Sequence, residues 1–180
     1  MNKPLVIRLA ECERDLDRVH QLRRAQCDAE SWFHPDQDHA RDRAGFVWMA
    51  EADGVALATI RAMPHSSGLG ELSALDLPFD LPTANDEFVE VGRFVAHPAA
   101  GVGVACLMLL QAADWLVANT NHRQAYGLCA GPLVQYYRRF GMHVSQTGYP
   151  VPHFGAQLSY LVHGDLPRGA VRTAARAMAC

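Results

Sequence analysis

The sequence predicts a mixed α/β fold: one sheet, mostly antiparallel, with a parallel strand pair at its middle and helices packed on it. Three observations carry this. Residues 88–119, FVEVGRFVAHPAAGVGVACLMLLQAADWLVAN, read as a Val- and Phe-rich strand, a short Pro/Ala/Gly loop and a helix apolar on nearly every side. A second buried-looking strand, Gln124 to Ala130, follows that helix, and strand-helix-strand connections pair their strands in parallel. Asp53-Gly54, between FVWMAE and VALATIRAM, is a two-residue hairpin signal and makes an antiparallel pair.

The remaining elements follow in order. Pro4 to Leu9 alternates as a first strand, and Glu11 to about Trp32 carries Leu16, Val19, Leu22 and Ala25 at helical spacing. From Phe33 to Arg43 the segment FHPDQDHARDR is polar and shows no apolar period, which reads as a surface loop able to close over a ligand. Phe46 to Glu51 and Val55 to Met63 are the hairpin strands, with Arg61 near the end of the second and Pro64 closing it. His65 to Asp86 is a Gly- and Pro-broken connection with at most one helical turn. The long apolar helix ends in Asn119-Thr120-Asn121, where asparagine tolerates the left-handed conformation of a helix exit. Gly131 to Phe140 is a further helix with Pro132 in its first turn and Gly141 past its end. Met142 to Thr147 and Gln157 to His163 are two last strands, and Gly169 to Met178 an alanine-rich terminal helix.

Composition narrows the function classes. The 180 residues suit one domain over 1–180, and 49% hydrophobic with 19% charged residues is an ordinary globular balance. A net charge of -3 and a pI near 6.3 provide no basic field for nucleic acid, and no apolar run reaches the roughly 20 residues that span a bilayer. Five scattered cysteines without a CxxC pair, and an N-terminus without a signal-peptide pattern, point to a reducing cytoplasm. The nine histidines show no ligand spacing, so no metal site is expected. Cys106 and Cys129 sit in apolar segments and read as buried inert thiols.

The candidate site lies on the organising strand and its loop. Ala99-Ala100-Gly101-Val102-Gly103 places two glycines where a helix begins, so bare amides can meet an anion beside the positive helix end. Glu90 and Arg93 are charges in a strand otherwise built for burial. Glu90 suits a general base for an incoming amine, and the alternative is one half of an ion pair with Arg93 or Arg61. In an even strand the two side chains would face opposite ways; a bulge at Gly92 would bring them to one face and splay the neighbouring strand. Arg61 and Arg93 can hold a carboxylate or organise Glu90. Tyr137, beside the neighbouring Tyr136, reads from the residues alone as a core-face tyrosine with its hydroxyl tied up. Arg168, Arg172 and Arg176 make a basic stripe, either a solvated face or a surface for an acidic partner.

With Val95-Ala96-His97-Pro98-Ala99-Ala100-Gly101-Val102-Gly103-Val104 feeding a helix and Tyr137-Arg138-Arg139-Phe140-Gly141-Met142 later, the chain resembles the GNAT acyltransferase superfamily over roughly residues 45 to 150. Pro98 stands where that family usually has Gln or Arg, and the loop is short. IRAMP with Arg61, EVGRF with Glu90 and Arg93, and QTGYPVP with Gly148 look like the narrower branch of acyl-homoserine-lactone synthases and N-acyl amino acid synthases. Arg23 or Arg24 and Trp32 or Phe33 resemble its N-terminal positions; its paired acids find no clean counterpart among Asp36, Asp38 and Asp42. The resemblance implies an N-acyltransferase with no tightly bound cofactor. Val95, Ala100, Gly101, Val102, Gly103 and Val104 would hold acyl-coenzyme A or the phosphopantetheine of an acyl carrier protein, and Tyr137 would protonate the leaving thiolate. The acceptor would be the amine of an amino acid or a derivative, with a simple acetyl-CoA-dependent enzyme or a non-catalytic binding domain as alternatives. The leucine-rich stretch 69–81 and the apolar helix would line an acyl tunnel or merely the core.

Overall fold

A computed structural model describes residues 5–26, 35–72, 86–101, 103–151 and 158–166. The expected terminal helix with Arg168, Arg172 and Arg176, the positions Trp32, Phe33 and Val102, and Leu75, Leu77 and Phe79 lie outside these residues. The elements are β1 (Val6–Leu9), α1 (Glu13–Gln26), α2 (Pro35–Ala44), β2 (Phe46–Ala52), β3 (Val55–Pro64), β4 (Phe88–Ala96), α3 (Val104–Asn119), β5 (Gln124–Ala130), α4 (Val134–Arg139), β6 (His143–Val144), β7 (Tyr149–Pro150) and β8 (Leu158–Asp165).

These strands form one sheet in the order β1-β2-β3-β4-β5-β8, with β6 and β7 both paired to the far side of β8. Every pairing is antiparallel except β4 with β5, which the α3 crossover makes parallel. The β2-β3 hairpin turns through Asp53 (φ 52°) and Gly54 (φ 77°), two left-handed residues in succession, as an Asp-Gly turn requires.

Period-two alternation divides the sheet into two working faces. On one, Trp48, Ala50, Ala58, Ile60, Ala62 and Val89 pack against Val104, Met108, Ala112, Ala113 and Leu116 of α3, a stripe at steps of about four residues. The alanines let the helix lie close, and Trp115 closes its flank edge-on to Trp48 at 5.9 Å. On the other face Leu16 and Val19 of α1 cover Val47 and Met49. Burial of the first face is the larger hydrophobic contribution, at about 25 cal/mol for each Å² removed from water.

Two sequence expectations need correction. Residues 35–44 are the helix α2, not a loop: the segment lacks an apolar period because the residues it buries, Asp38 and Asp42, are charged. Spaced four apart, they share one helix face and it is turned inward. The α3 exit is not a left-handed asparagine either. Thr120 is extended (φ -138°), its amide and hydroxyl both donate to Leu116 O, and Asn119 Nδ2 donates to Trp115 O, so side chains close the helix. By contrast α4 leaves through Gly141 (φ 85°), with Met142 N bonded to Tyr137 O and Gly141 N to Arg138 O, which fixes the Tyr137 backbone. No helix among the described residues is long and apolar enough to cross a membrane.

Candidate active site

The site grows from a fault in the β3-β4 ladder. Arg61 faces Gly92, but Thr59 faces Val95, so β4 carries one extra residue between them. The bulge expected at Gly92 is present, and its left-handed residue is Arg93 (φ 55°) rather than the glycine. A non-glycine residue there costs on the order of 1–2 kcal/mol, which the contacts of its side chain offset. Glu71 shows the effect on facing: its amide donates to Glu90 Oε1 at 2.9 Å and its carboxylate takes Arg93 Nη2 at 3.0 Å. Glu90 and Arg93 therefore share a face.

That face holds a buried charge network. Asp38 Oδ1 accepts from Arg61 Nη1 at 2.9 Å and from Arg93 Nε at 2.8 Å. Asp42 accepts from Arg61 Nη1 at 2.9 Å, Arg23 Nη1 at 2.6 Å and His20 Nε2 at 2.7 Å. Glu71 also takes Arg61 Nη2. Three guanidiniums, those of Arg23, Arg61 and Arg93, thus face three carboxylates, those of Asp38, Asp42 and Glu71. Burial alone would push the Asp42 carboxyl up; the His20 hydrogen bond and the Arg23 and Arg61 charges outweigh it and hold it near about 2.

Glu90 has a different environment. Its oxygens accept from the amides of Glu71 and Leu72, at 2.9 and 3.1 Å. Burial raises its carboxyl above the ordinary range, against the pull of the Leu72 amide and of the Arg61, Arg41 and Arg93 charges. Its neighbour across the parallel pair is Tyr126, whose hydroxyl stands 2.6 Å from His65 Nδ1. The carboxylates that Arg61 and Arg93 grip belong to the chain itself, to α2 and Glu71.

At Glu90 and Tyr126 the parallel pairing stops. Beyond it β4 pairs with β3 alone and β5 with β8 alone, so the two strands part. Gly127 stands at the fork, where a Cβ would meet Val91 O at 2.4 Å. Beneath, on the α3 face, lies an apolar cavity of about 70 Å³ walled by Trp48, Val91, Leu109, Ala113, Gly127, Tyr137 and Phe140. Burial pushes the Tyr137 hydroxyl up to about 12. Cys129, buried beside it against Val134 and Val162, is pushed up to about 11, which leaves it an inert thiol.

The loop into α3 is a 3-10 turn, Pro98–Ala100, in which Ala99 N donates to His97 Nδ1 and Ala100 N to His97 O. Those two amides are spent inside the turn. Gly101 (φ 83°) and Gly103 have open space where a side chain would stand, and Gly103 and Val104 begin the 16-residue helix. Val95 packs with Leu22 and Ala56 on the opposite face from α3.

No protein-family profile matches the chain, and no curated protein matches it in sequence. The structure superposes on FeeM, an N-acyl amino acid synthase from uncultured soil microbes, with a TM-score of 0.67 at 10% identity over 96% of both chains. It superposes on the AHL synthase LasI with a TM-score of 0.71 at 13% identity, over 91% of this chain and 90% of that one. A third match is MesI, a CoA-dependent acyl-homoserine lactone synthase, with a TM-score of 0.66 at 17% identity over 98% and 96%. The fold is GNAT-like.

Within this GNAT-like fold the structure brings together Arg61, Glu90 and Arg93 on one face and sets Tyr137 on the other, across the fork. Sequence reading missed Asp38 and Asp42 as partners of the arginines, although their i, i+4 spacing was visible. It also missed Tyr126 and His65, which are 61 residues apart and carry no local signal.

Proposed function

We propose that the chain is an N-acyltransferase that moves an acyl group from a pantetheine thioester to the amine of an amino acid or a derivative. The carrying observation is that β4 and β5 stop pairing after Glu90 and Tyr126, with the apolar cavity on one face of the sheet and the buried Glu90 carboxylate on the other. The first few carbons of an acyl chain would enter the cavity, with the thioester carbonyl at the fork and the amine on the Glu90 side. Gly101, Gly103 and the start of α3 offer backbone amides and a positive helix end to the phosphates of the donor.

The roles follow from that placement. The amine nitrogen attacks the thioester carbonyl, the new C–N bond forms, and Glu90 takes the nitrogen's proton; a raised carboxyl is the stronger base. As the C–S bond breaks, Tyr137, protonated throughout the neutral range, gives its proton to the thiolate. Arg61 and Arg93 act through their ion pairs, which set the bulge and so the position of Glu90. The mostly apolar cavity favours a donor chain longer than acetyl.

Mass spectrometry of lipid extracts tests the reading. Cells overexpressing the chain should contain an N-acyl amine that cells expressing Glu90→Gln lack. Identical extracts refute it. Incubating the purified protein with acetyl-CoA, long-chain acyl-CoA and acyl carrier protein thioesters identifies the donor by which one is consumed.

A further inference from the structure

A base buried as deeply as Glu90 must lose its proton before each new turnover. We propose that Tyr126 and His65 form the relay that carries this proton to solvent, an inference that rests on the acyl-transfer reading above. Tyr126 is buried, 1% exposed; it is the register partner of Glu90 across the parallel strand pair, and its hydroxyl lies 2.6 Å from His65 Nδ1. The His65 and Tyr126 rings meet edge-on at 5.5 Å, and the Phe88 ring flanks Tyr126 at 6.5 Å. His65 is partly exposed, so the chain Glu90-Tyr126-His65 runs from the interior to the surface.

The turn that bears His65 is held in place. Ser67 Oγ donates to Pro64 O at 2.7 Å and accepts from Leu69 N at 3.1 Å, and Gly68 (φ 66°) closes the turn. A phenol can accept one proton while donating another, and an imidazole can take a proton on one nitrogen and release it from the second. In the transfer, the proton on Glu90 passes to the Tyr126 oxygen as the Tyr126 proton passes to His65 Nδ1. Carboxylate and phenol are restored, the imidazolium loses its Nε2 proton to water, and proton exchange with water that returns the remaining proton to Nε2 readies Nδ1 to accept again. Burial favours the protonated carboxyl, and the charges facing Glu90, those of Arg61 on β3, Arg41 on α2 and Arg93 on β4, oppose it by favouring the ionised form. Glu71 contributes its amide to Glu90 and its carboxylate to Arg61 and Arg93. Tyr126 and His65 touch neither donor nor acceptor in this scheme; they are positioning residues for the state of Glu90.

The test uses the full chain, octanoyl-coenzyme A and octanoyl-acyl carrier protein as donors, a mixture of the twenty amino acids as acceptors, and thiol release followed from about pH 5.5 to 9, the range spanned by imidazole titration. Tyr126→Phe and His65→Gly should lower kcat about tenfold or more with KM within about twofold, and should change the pH profile of kcat. Added imidazole should restore His65→Gly and leave Tyr126→Phe and Glu90→Gln unrestored, a pattern that a merely structural loss does not produce. Wild-type kcat and pH profile in both variants, or no response of His65→Gly to imidazole, overturns the relay alone. Absence of thiol release by the wild-type chain overturns the acyl-transfer reading and the relay together.

Discussion

Arg93 Nε donates to Asp38 Oδ1 at 2.8 Å, tying the left-handed residue of the β4 bulge to a helix 55 positions earlier. Both side chains are buried, and Asp38 also holds Arg61. The bulge that aims Glu90 is thus stabilised from α2. A segment that sequence reading assigned to a surface loop is part of the site's support.

Removing one member of this network leaves buried charge without a counter-ion. Asp38→Ala should destabilise the chain by about 3–5 kcal/mol, measured by urea unfolding. Adding Arg93→Ala should cost less than the sum of the two single changes, because the second deletion removes the charge that the first left unpaired.

Acid should act through Asp42. Its carboxyl lies at about 2 in the folded chain against 3.8 as the ordinary value. Its contribution to stability is therefore present above the unfolded value and lost as pH falls through the folded one. Asp42→Asn should cost about 2 kcal/mol near neutrality, and the difference from wild type should vanish as the pH approaches about 2. Glu90 has the opposite sign: raised in the fold, it favours the folded state at pH below its unfolded value, and that contribution fades as pH rises through the folded one. Unfolding curves of Asp42→Asn, Glu90→Gln and wild type from acid to neutral pH check both signs.

Gly127 marks where β4 and β5 part. Gly127→Ala sets a methyl against Val91 O, which is backbone and cannot swing aside. The expected result is a loss of about 1–3 kcal/mol in thermal unfolding together with a lower rate of thioester consumption, since the fork itself must shift. A variant with unchanged stability and rate would show that the fork is not a rigid feature.

Chain-length preference should reside in the cavity wall. Ala113→Leu fills much of the space under α3. Acyl-CoA donors of eight or more carbons should lose about tenfold or more in kcat/KM, at about 0.8 kcal/mol for each methylene excluded, while acetyl-CoA retains its rate. Equal losses across all chain lengths would place the acyl group elsewhere.

The order of strands β1 to β5 and helices α1, α3 and α4, the Asp53-Gly54 hairpin, the parallel pairing across α3, the bulge beside Gly92 and the placement of Glu90 and Arg93 on one strand were determined by the sequence alone. Each rests on a local rule: apolar periodicity, a turn that needs left-handed residues, or the handedness of a crossover. Tertiary structure decided the rest. Residues 35–44 look like a loop because periodicity is read from apolar residues, and this helix buries aspartates that are favourable inside only once Arg23, Arg61 and Arg93 arrive from three other elements. Tyr126 and His65 read as ordinary core and turn residues until the parallel pairing sets Tyr126 beside Glu90 and the end of β3 brings His65 to its hydroxyl. Local patterns specify which way a side chain faces; which charge or proton it meets depends on strands and helices far away in the chain.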